Sequence, residues 1–257
     1  MINILLCGAN GKMGQAITRI CSEDENVCIK AGFDLNTEQK DGYPVYSQIS
    51  ELEKIKVEIN CIVDFSHPSL FDDMLRFAAD NRIPYVICTT GLSNEQKQKI
   101  VETAKISPVF YSANMSLGVN LITELAKAAA KILQDNFDIE IIEKHHNQKI
   151  DAPSGTALAL ADAISETVSY TPEYVYDRHS TRKKRDKKEI GIHALRGGTI
   201  VGEHSIIFAG CDEVIEIKHS ATSKEVFAVG AVRAAKYMAN KPAGLYNMSD
   251  VIKSETE

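Results

Sequence analysis

The stretch Glu143-Lys144-His145-His146-Asn147-Gln148-Lys149-Ile150-Asp151-Ala152-Pro153-Ser154-Gly155-Thr156-Ala157 concentrates side chains able to do chemistry. Two adjacent histidines and a lysine follow a strand-like run. Imidazole titrates near neutral pH, so it can give or take a proton there. Lys149 adds a cation and a second source of protons. Pro153-Ser154-Gly155-Thr156 opens a helical pattern, where backbone N–H groups and two hydroxyls can hold a carboxylate. The set suits an anionic substrate that is protonated as it is reduced. Two plainer readings stand beside this one. A solvated loop leading into an ordinary helix cap would use the same residue types. A metal site would use His145 and His146, but neighbours on a strand point to opposite faces. The spacing also lacks the HExxH pattern of zinc proteases, and no metal is expected.

A second group of residues could hold a dinucleotide. Gly8-Ala9-Asn10-Gly11-Lys12-Met13-Gly14 lies between a strand-like and a helix-like segment. The GxxGxxG spacing is a variant of the GxGxxG turn, which lets backbone approach a pyrophosphate at a helix N-terminus. Asp34 follows 20 residues after Gly14, at the end of the next strand-like run. That is the position of a ligand for a ribose 2′-hydroxyl. A carboxylate there favours NADH over NADPH, although Lys12 would offset part of the repulsion of a 2′-phosphate. The alternative is a structural turn with a solvated Asp34. Thr89-Thr90-Gly91 and Ser112-Ala113-Asn114-Met115 each follow a strand-like run. In open α/β sheets ligands bind beyond the carboxyl ends of strands, so both are candidate nicotinamide contacts, the alternative being ordinary polar turns.

Elements that would position these residues can be read from periodicity. Strands are expected at 2–7, 27–33, 60–65, 84–89 and 109–112, alternating with helices at 11–21, 69–79 and 94–105. Alternation of this kind predicts a parallel sheet covered on both faces. A long helix over 117–134, a strand over 137–144 and a helix over 153–168 come next. Then 190–195, 199–208 and 213–219 read as a three-strand meander, and a helix over 224–240 is expected to return to the first domain. The style changes near residue 115. The division is therefore a cofactor domain over 1–115 plus 224–257 and a second domain over 116–223. The basic run Arg182 to Lys188 reads as a solvated loop, with steering of an anionic substrate as the rival reading.

The totals exclude several classes. A 257-residue chain can bury a sizeable core unaided. Its net charge of −6 argues against a nucleic-acid binder. None of the six cysteines forms a CxxC pair, and Cys7, Cys61 and Cys88 sit in apolar runs as core packing. The first residues read as a strand and not a signal peptide. No apolar stretch approaches the roughly 18 residues of a membrane span, so no membrane partner and a cytoplasmic location are expected.

The block from His145 to Ala157 resembles the signature of the 4-hydroxy-tetrahydrodipicolinate reductase (dihydrodipicolinate reductase) family. The resemblance spans nearly the whole chain. It takes in Gly8 to Gly14, Thr89-Thr90-Gly91, Ala113-Asn114, Ser116 to Asn120, Arg196 to His204 and Phe227 to Ala235. It implies an α/β fold with a Rossmann-like parallel-sheet cofactor domain. It also implies an α+β substrate and oligomerisation domain whose mixed sheet assembles a homotetramer. The implied reaction is NAD(P)H-dependent reduction of 4-hydroxy-tetrahydrodipicolinate, a small dicarboxylate, to tetrahydrodipicolinate with loss of water. It belongs to the diaminopimelate route of lysine biosynthesis. By position, His145 is implied as proton donor/acceptor and Lys149 as proton donor, with His146, Gly155 and Thr156 on the substrate carboxylates. Gly8, Ala9, Asn10, Gly11, Lys12, Met13, Asp34, Thr89, Thr90, Gly91, Ser112, Ala113, Asn114 and Met115 are implied as cofactor contacts.

The chain departs from the family pattern at Cys88, where glycine is frequent, and at Met115, where phenylalanine is common. The basic run replaces a glycine-containing loop. Two other readings are another two-domain NAD(P)-dependent amino-acid dehydrogenase and a non-catalytic NAD(H)-sensing module. The first gives no reason for the His145–Thr156 block, and the intact His/Lys/Ser-Gly-Thr set speaks against the second.

Overall fold

The protein is described here from a computed structural model covering residues 1–39, 42–54 and 56–256. Elements β1 (Ile2–Cys7), α1 (Lys12–Ser22), β2 (Val27–Phe33), β3 (Val45–Tyr46), α2 (Ile49–Leu52) and β4 (Cys61–Asp64) come first. A 3-10 turn (Pro68–Leu70) leads into α3 (Phe71–Asp80), β5 (Tyr85–Ile87), α4 (Asn94–Thr103) and β6 (Pro108–Tyr111). Then follow α5 (Leu117–Leu133), β7 (Asp138–His145), α6 (Gly155–Ser165), β8 (Glu173–Val175), β9 (Glu189–Arg196), β10 (Gly202–Ala209) and β11 (Val214–Ala221). The chain closes with α7 (Glu225–Met238), β12 (Gly244–Tyr246) and α8 (Met248–Thr256). It divides into two compact units, Met1–Leu117 with Glu225–Glu257, and Gly118–Lys224. Among the described residues no helix is long and apolar enough to cross a membrane.

The first unit holds a seven-stranded sheet in the order β12-β6-β5-β4-β1-β2-β3, parallel throughout the described residues. This is a Rossmann-like arrangement. Its central strands are apolar on both faces because both faces are covered. Ile4 and Leu6 of β1 turn to one side, against Ile17 of α1 and Ala231 and Ala235 of α7. Leu5 and Cys7 turn to the other, with Phe71 and Met74 of α3 and Ile100 of α4. Helix α7 packs on α1, β4 and β5. Gly230 lets α7 pass close to the loop after β6, since a Cβ there would stand 1.7 Å from the Met115 carbonyl oxygen.

In the second unit the sheet is mixed, in the order β11-β10-β7-β9-β8. One face packs on α5 and α6 through residues such as Ile139, Ile141, Ile192, Ile206 and Phe208. The expected meander does not form. Strand β7 lies between β9 and β10, parallel to β9 and antiparallel to β10. Only β10 and β11 make a sequential antiparallel pair among the three. Closeness in sequence suggested a pairing that β7 pre-empts by supplying the buried apolar row.

The basic run is also not simply solvated. Arg185 Nε donates to Glu140 at 2.9 Å, and its Nη2 donates to the carbonyls of Ile139 and Glu189 at 3.0 and 2.6 Å. Lys183 pairs with the fully buried Glu189 at 3.1 Å. Part of the run therefore neutralises acids on β7 and β9, while Arg182, Lys184 and Lys188 remain exposed.

Candidate active site

In the first unit the glycine loop is shaped by close backbone approach. Gly8 has φ +75°, and a Cβ on it would stand 2.7 Å from the Phe65 carbonyl oxygen. A Cβ on Gly14 would meet the Gly8 oxygen at 2.3 Å. Gly11 caps α1 without a side-chain hydrogen bond, which leaves the helix N-terminus open to an anion. Asp34 has two local duties. Its Oδ2 accepts from the Asn10 N–H at 2.9 Å, and its Oδ1 accepts from the Asn36 N–H at 3.1 Å. Asn10 Nδ2 in turn donates to the carbonyls of Asn36 and Glu38. Ala9 is buried beneath this loop, while Lys12 is exposed at the first position of α1.

Met13, Thr89, Thr90, Gly91, Ser112, Ala113, Asn114 and Met115 line one cavity of about 680 Å³ in this unit. Gly8, Ala9, Asn10, Gly11, Lys12 and Asp34 are not in its lining. Gly91 needs its glycine, having φ +79°. Phe65 and Ser66 also line it, as do Leu92, Lys97, Tyr111 and Phe227, none of which has a cofactor role in the sequence reading. The turn carrying the first two is fixed by buried Asp64. Its Oδ1 accepts from the Ser66 N–H at 2.7 Å, and its Oδ2 accepts from the Tyr85 hydroxyl. Burial, then the Asp64 charge, raises the pKa of that phenol. Burial likewise raises the Cys7, Cys61 and Cys88 thiols, which keeps them protonated.

The second unit carries the histidine block at the carboxyl end of β7. Burial alternates along this strand, so Ile139, Ile141, Glu143 and His145 share the helix-facing side. Glu143 is fully buried. Its Oε2 accepts from His145 Nδ1 at 2.7 Å and from Arg196 Nη1 at 2.7 Å. Its Oε1 accepts from Arg196 Nη2 at 2.7 Å and from the Ser154 N–H at 3.0 Å. Burial opposes the Glu143 charge, but the donors from Arg196, His145 and Ser154 outweigh it and lower the carboxyl pKa. Arg196 arrives because β9 runs parallel to β7 in a register that sets Arg196 beside His145.

Ser154 caps α6, its Oγ accepting from the Ala157 N–H at 3.2 Å. The same Oγ lies 3.0 Å from His204 Nε2. The His204 and His145 rings meet edge to face at 5.2 Å. Burial, then the neighbouring His145, pushes the His204 pKa down to about 4. Gly155 and Thr156 are the first two residues of α6, and a Cβ on Gly155 would meet nothing within 4 Å. Lys149 Nζ sits 2.8 Å from Asp151 Oδ1. His146 has a buried Nδ1 with no hydrogen-bond partner in this structure.

The sequence-derived residues thus fall into three places: the glycine loop with Asp34, the cavity, and the cluster at the end of β7. Glu143, Arg196 and His204 have no assigned role in the sequence reading. For Glu143 the signal was present, as two-residue spacing on a strand puts it on the His145 face. For Arg196 and His204 nothing local reveals the β9 and β10 registers.

Comparison with known proteins agrees across the chain. Residues 2–115 match the family model described as dihydrodipicolinate reductase, N-terminus, and residues 118–252 match its C-terminal counterpart. The chain is 50% identical over 255 residues to a 4-hydroxy-tetrahydrodipicolinate reductase of Clostridium novyi (strain NT), covering 99% of this chain and 100% of that one. It is 49% identical over 253 residues to the enzyme of that name from Caldanaerobacter subterraneus subsp. tengcongensis, covering 98% and 99%. A dipicolinate-bound dihydrodipicolinate reductase from Paenisporosarcina sp. TG-14 shares the fold, with TM-score 0.81 at 24% identity over 96% of this chain and 97% of that one. On the strength of both matched halves and these full-length relatives, the chain belongs to the dihydrodipicolinate reductase family.

Proposed function

We propose that this chain reduces 4-hydroxy-tetrahydrodipicolinate to tetrahydrodipicolinate, with loss of water, at the expense of NADH or NADPH. The observation that carries this reading is the cluster at the end of β7, where His145 is braced next to a helix N-terminus that begins Gly155-Thr156. Within a family whose curated relatives bear this enzyme's name, that cluster supplies both needs of the reaction, a proton carrier and a carboxylate cradle. His145 serves as proton donor/acceptor and Lys149 as proton donor. His146, Gly155 and Thr156 receive the substrate carboxylates; the orphaned Nδ1 of His146 and the open space over Gly155 support this.

The first unit, with the returning segment 224–257, is the cofactor domain, and 116–223 is the substrate and oligomerisation domain of a homotetramer. A dinucleotide fits the residues present. Side chains at Gly8 or Gly14 would fill the loop, and the α1 N-terminus has no side-chain cap. Gly8 to Met13 would hold the pyrophosphate, and Asp34 the adenosine ribose. Thr89 to Gly91 and Ser112 to Met115 would hold the nicotinamide end. When bound, the reduced nicotinamide supplies the hydride. Asp34 favours NADH, since its carboxylate repels a 2′-phosphate. Soluble cytoplasmic residence accords with this biosynthetic role.

His145→Ala and Lys149→Ala test the assignment. Each should collapse turnover, by roughly 10²–10⁴-fold for loss of a positioned acid or base, while NADH binding persists. Near-normal turnover in either variant would remove that residue from the proposed role.

A further inference from the structure

Proton transfer by a neutral imidazole depends on which nitrogen carries the hydrogen. His145 has its two nitrogens in very different surroundings. Nδ1 faces a Glu143 oxygen at 2.7 Å. Nε2 meets no hydrogen-bonding partner among the described residues, and the side chain is 11% exposed. A Cβ on Gly202 would stand 3.1 Å from Nε2, so the glycine keeps that side clear. The other flank is the edge-to-face ring of His204, held by Ser154 Oγ.

We propose that Glu143 is a positioning residue for the proton-transfer step: it holds one hydrogen of His145 on Nδ1, so that Nε2 is the nitrogen that takes up a proton from solvent and passes it to the substrate. An ionised carboxylate only accepts hydrogen bonds, so Nδ1 must donate. The carboxylate cannot turn away, because Arg196 grips both oxygens and the Ser154 N–H holds Oε1. The same bond to Ser154 links the His145 ring to the start of α6, where the carboxylate cradle begins. Arg196 also balances the buried charge, so the pair orients the imidazole without leaving an uncompensated anion beneath a dianionic substrate. The logic is that of the acid which orients the histidine in a serine-protease triad. This assignment rests on His145 being the proton carrier proposed above.

Glu143→Gln separates orientation from packing. The Oε1 position faces two fixed donors, Ser154 N–H and Arg196 Nη2. The Oε2 position faces one fixed donor, Arg196 Nη1, and the imidazole, which can switch. The amide nitrogen therefore settles at Oε2 and forces the His145 hydrogen to Nε2. Nitrogen-15 spectra of selectively labelled enzyme, assigned by the signals lost in His145→Ala, should show Nδ1–H in the parent and Nε2–H in Glu143→Gln. Turnover should fall roughly 10²–10⁴-fold, with dipicolinate and NADH affinities within a few-fold of the parent. Nε2–H in the parent, or parental turnover in Glu143→Gln while His145→Ala is inactive, overturns the role of Glu143 alone. An active His145→Ala overturns the underlying reading instead. Should Glu143→Gln fail to fold, the spectrum of the parent still decides.

Discussion

Replacing Arg196 by methionine should weaken folding in a way that depends on pH. In the parent, two guanidinium N–H groups reach the two Glu143 oxygens at 2.7 Å each. Glu143 is fully buried, and the Arg196 side chain is 20% exposed. Methionine keeps much of the apolar stem but leaves a buried carboxylate without its cation. Breaking one partner of a buried pair costs about 3–5 kcal/mol. The partial exposure of Arg196 places this case near the lower end, about 3 kcal/mol. That is a large share of a typical total stability of about 5–15 kcal/mol.

The sign with pH follows from linkage. In the parent the folded-state pKa of Glu143 lies below its unfolded value. Its contribution is therefore present above the unfolded value and lost as pH falls through the folded one. In the variant, burial is no longer outweighed, so the folded pocket binds a proton more readily than the unfolded chain. The variant's penalty is then fully present near pH 8 and relieved as pH falls toward 5. Urea unfolding of both proteins at several pH values measures the gap. Adding Glu143→Gln to Arg196→Met should restore part of the lost stability at pH 8. A gap that stays constant between pH 8 and 5, with no recovery in the double variant, would refute the view that Arg196 neutralises a buried carboxylate.

Three further outcomes are expected. Asp34→Ala should raise kcat/KM with NADPH relative to NADH, by roughly ten- to a hundredfold for one charged hydrogen bond lost and a repulsion removed; an unchanged ratio would take Asp34 out of the ribose site. Gly155→Ala adds a Cβ that meets no protein atom, so thermal stability should hold while KM for the dicarboxylate rises; an unchanged KM would exclude the α6 N-terminus as the cradle. His204 titrates at about 4 in the folded protein, below its ordinary value near 6.5. Its contribution is thus complete above the unfolded value and lost as pH falls toward 4, costing on the order of 3 kcal/mol. His204→Gln should flatten that acid limb in urea unfolding, and an identical acid limb would place the sensitivity elsewhere.

The parallel sheet was legible because β1, β4 and β5 read as short apolar runs bounded by loops, a pattern that demands cover on both faces. Strands β3, β8 and β12, of two or three residues each, carry too little periodicity to announce themselves. The second sheet was harder for a different reason. Nothing within residues 190–208 says that β7 lies between β9 and β10, since that pairing is decided by which apolar faces meet α5 and α6. The same gap hid Arg185, whose carboxylate partners Asp138 and Glu140 lie on β7, 47 and 45 residues away in sequence. At the candidate site, His145, Lys149, Gly155 and Thr156 were visible as a contiguous block. The ion pair that braces His145 spans 53 residues and required the β7–β9 register.

The central claim is reduction of one particular dicarboxylate by a nicotinamide cofactor. It is tested most directly by mixing the purified chain with NADH, and separately with NADPH, and following the loss of the reduced-nicotinamide absorbance as freshly generated 4-hydroxy-tetrahydrodipicolinate is added. Oxidation that depends on both the enzyme and the dicarboxylate is the predicted result. Oxidation no faster than in the substrate-free control, with either cofactor, would contradict the account.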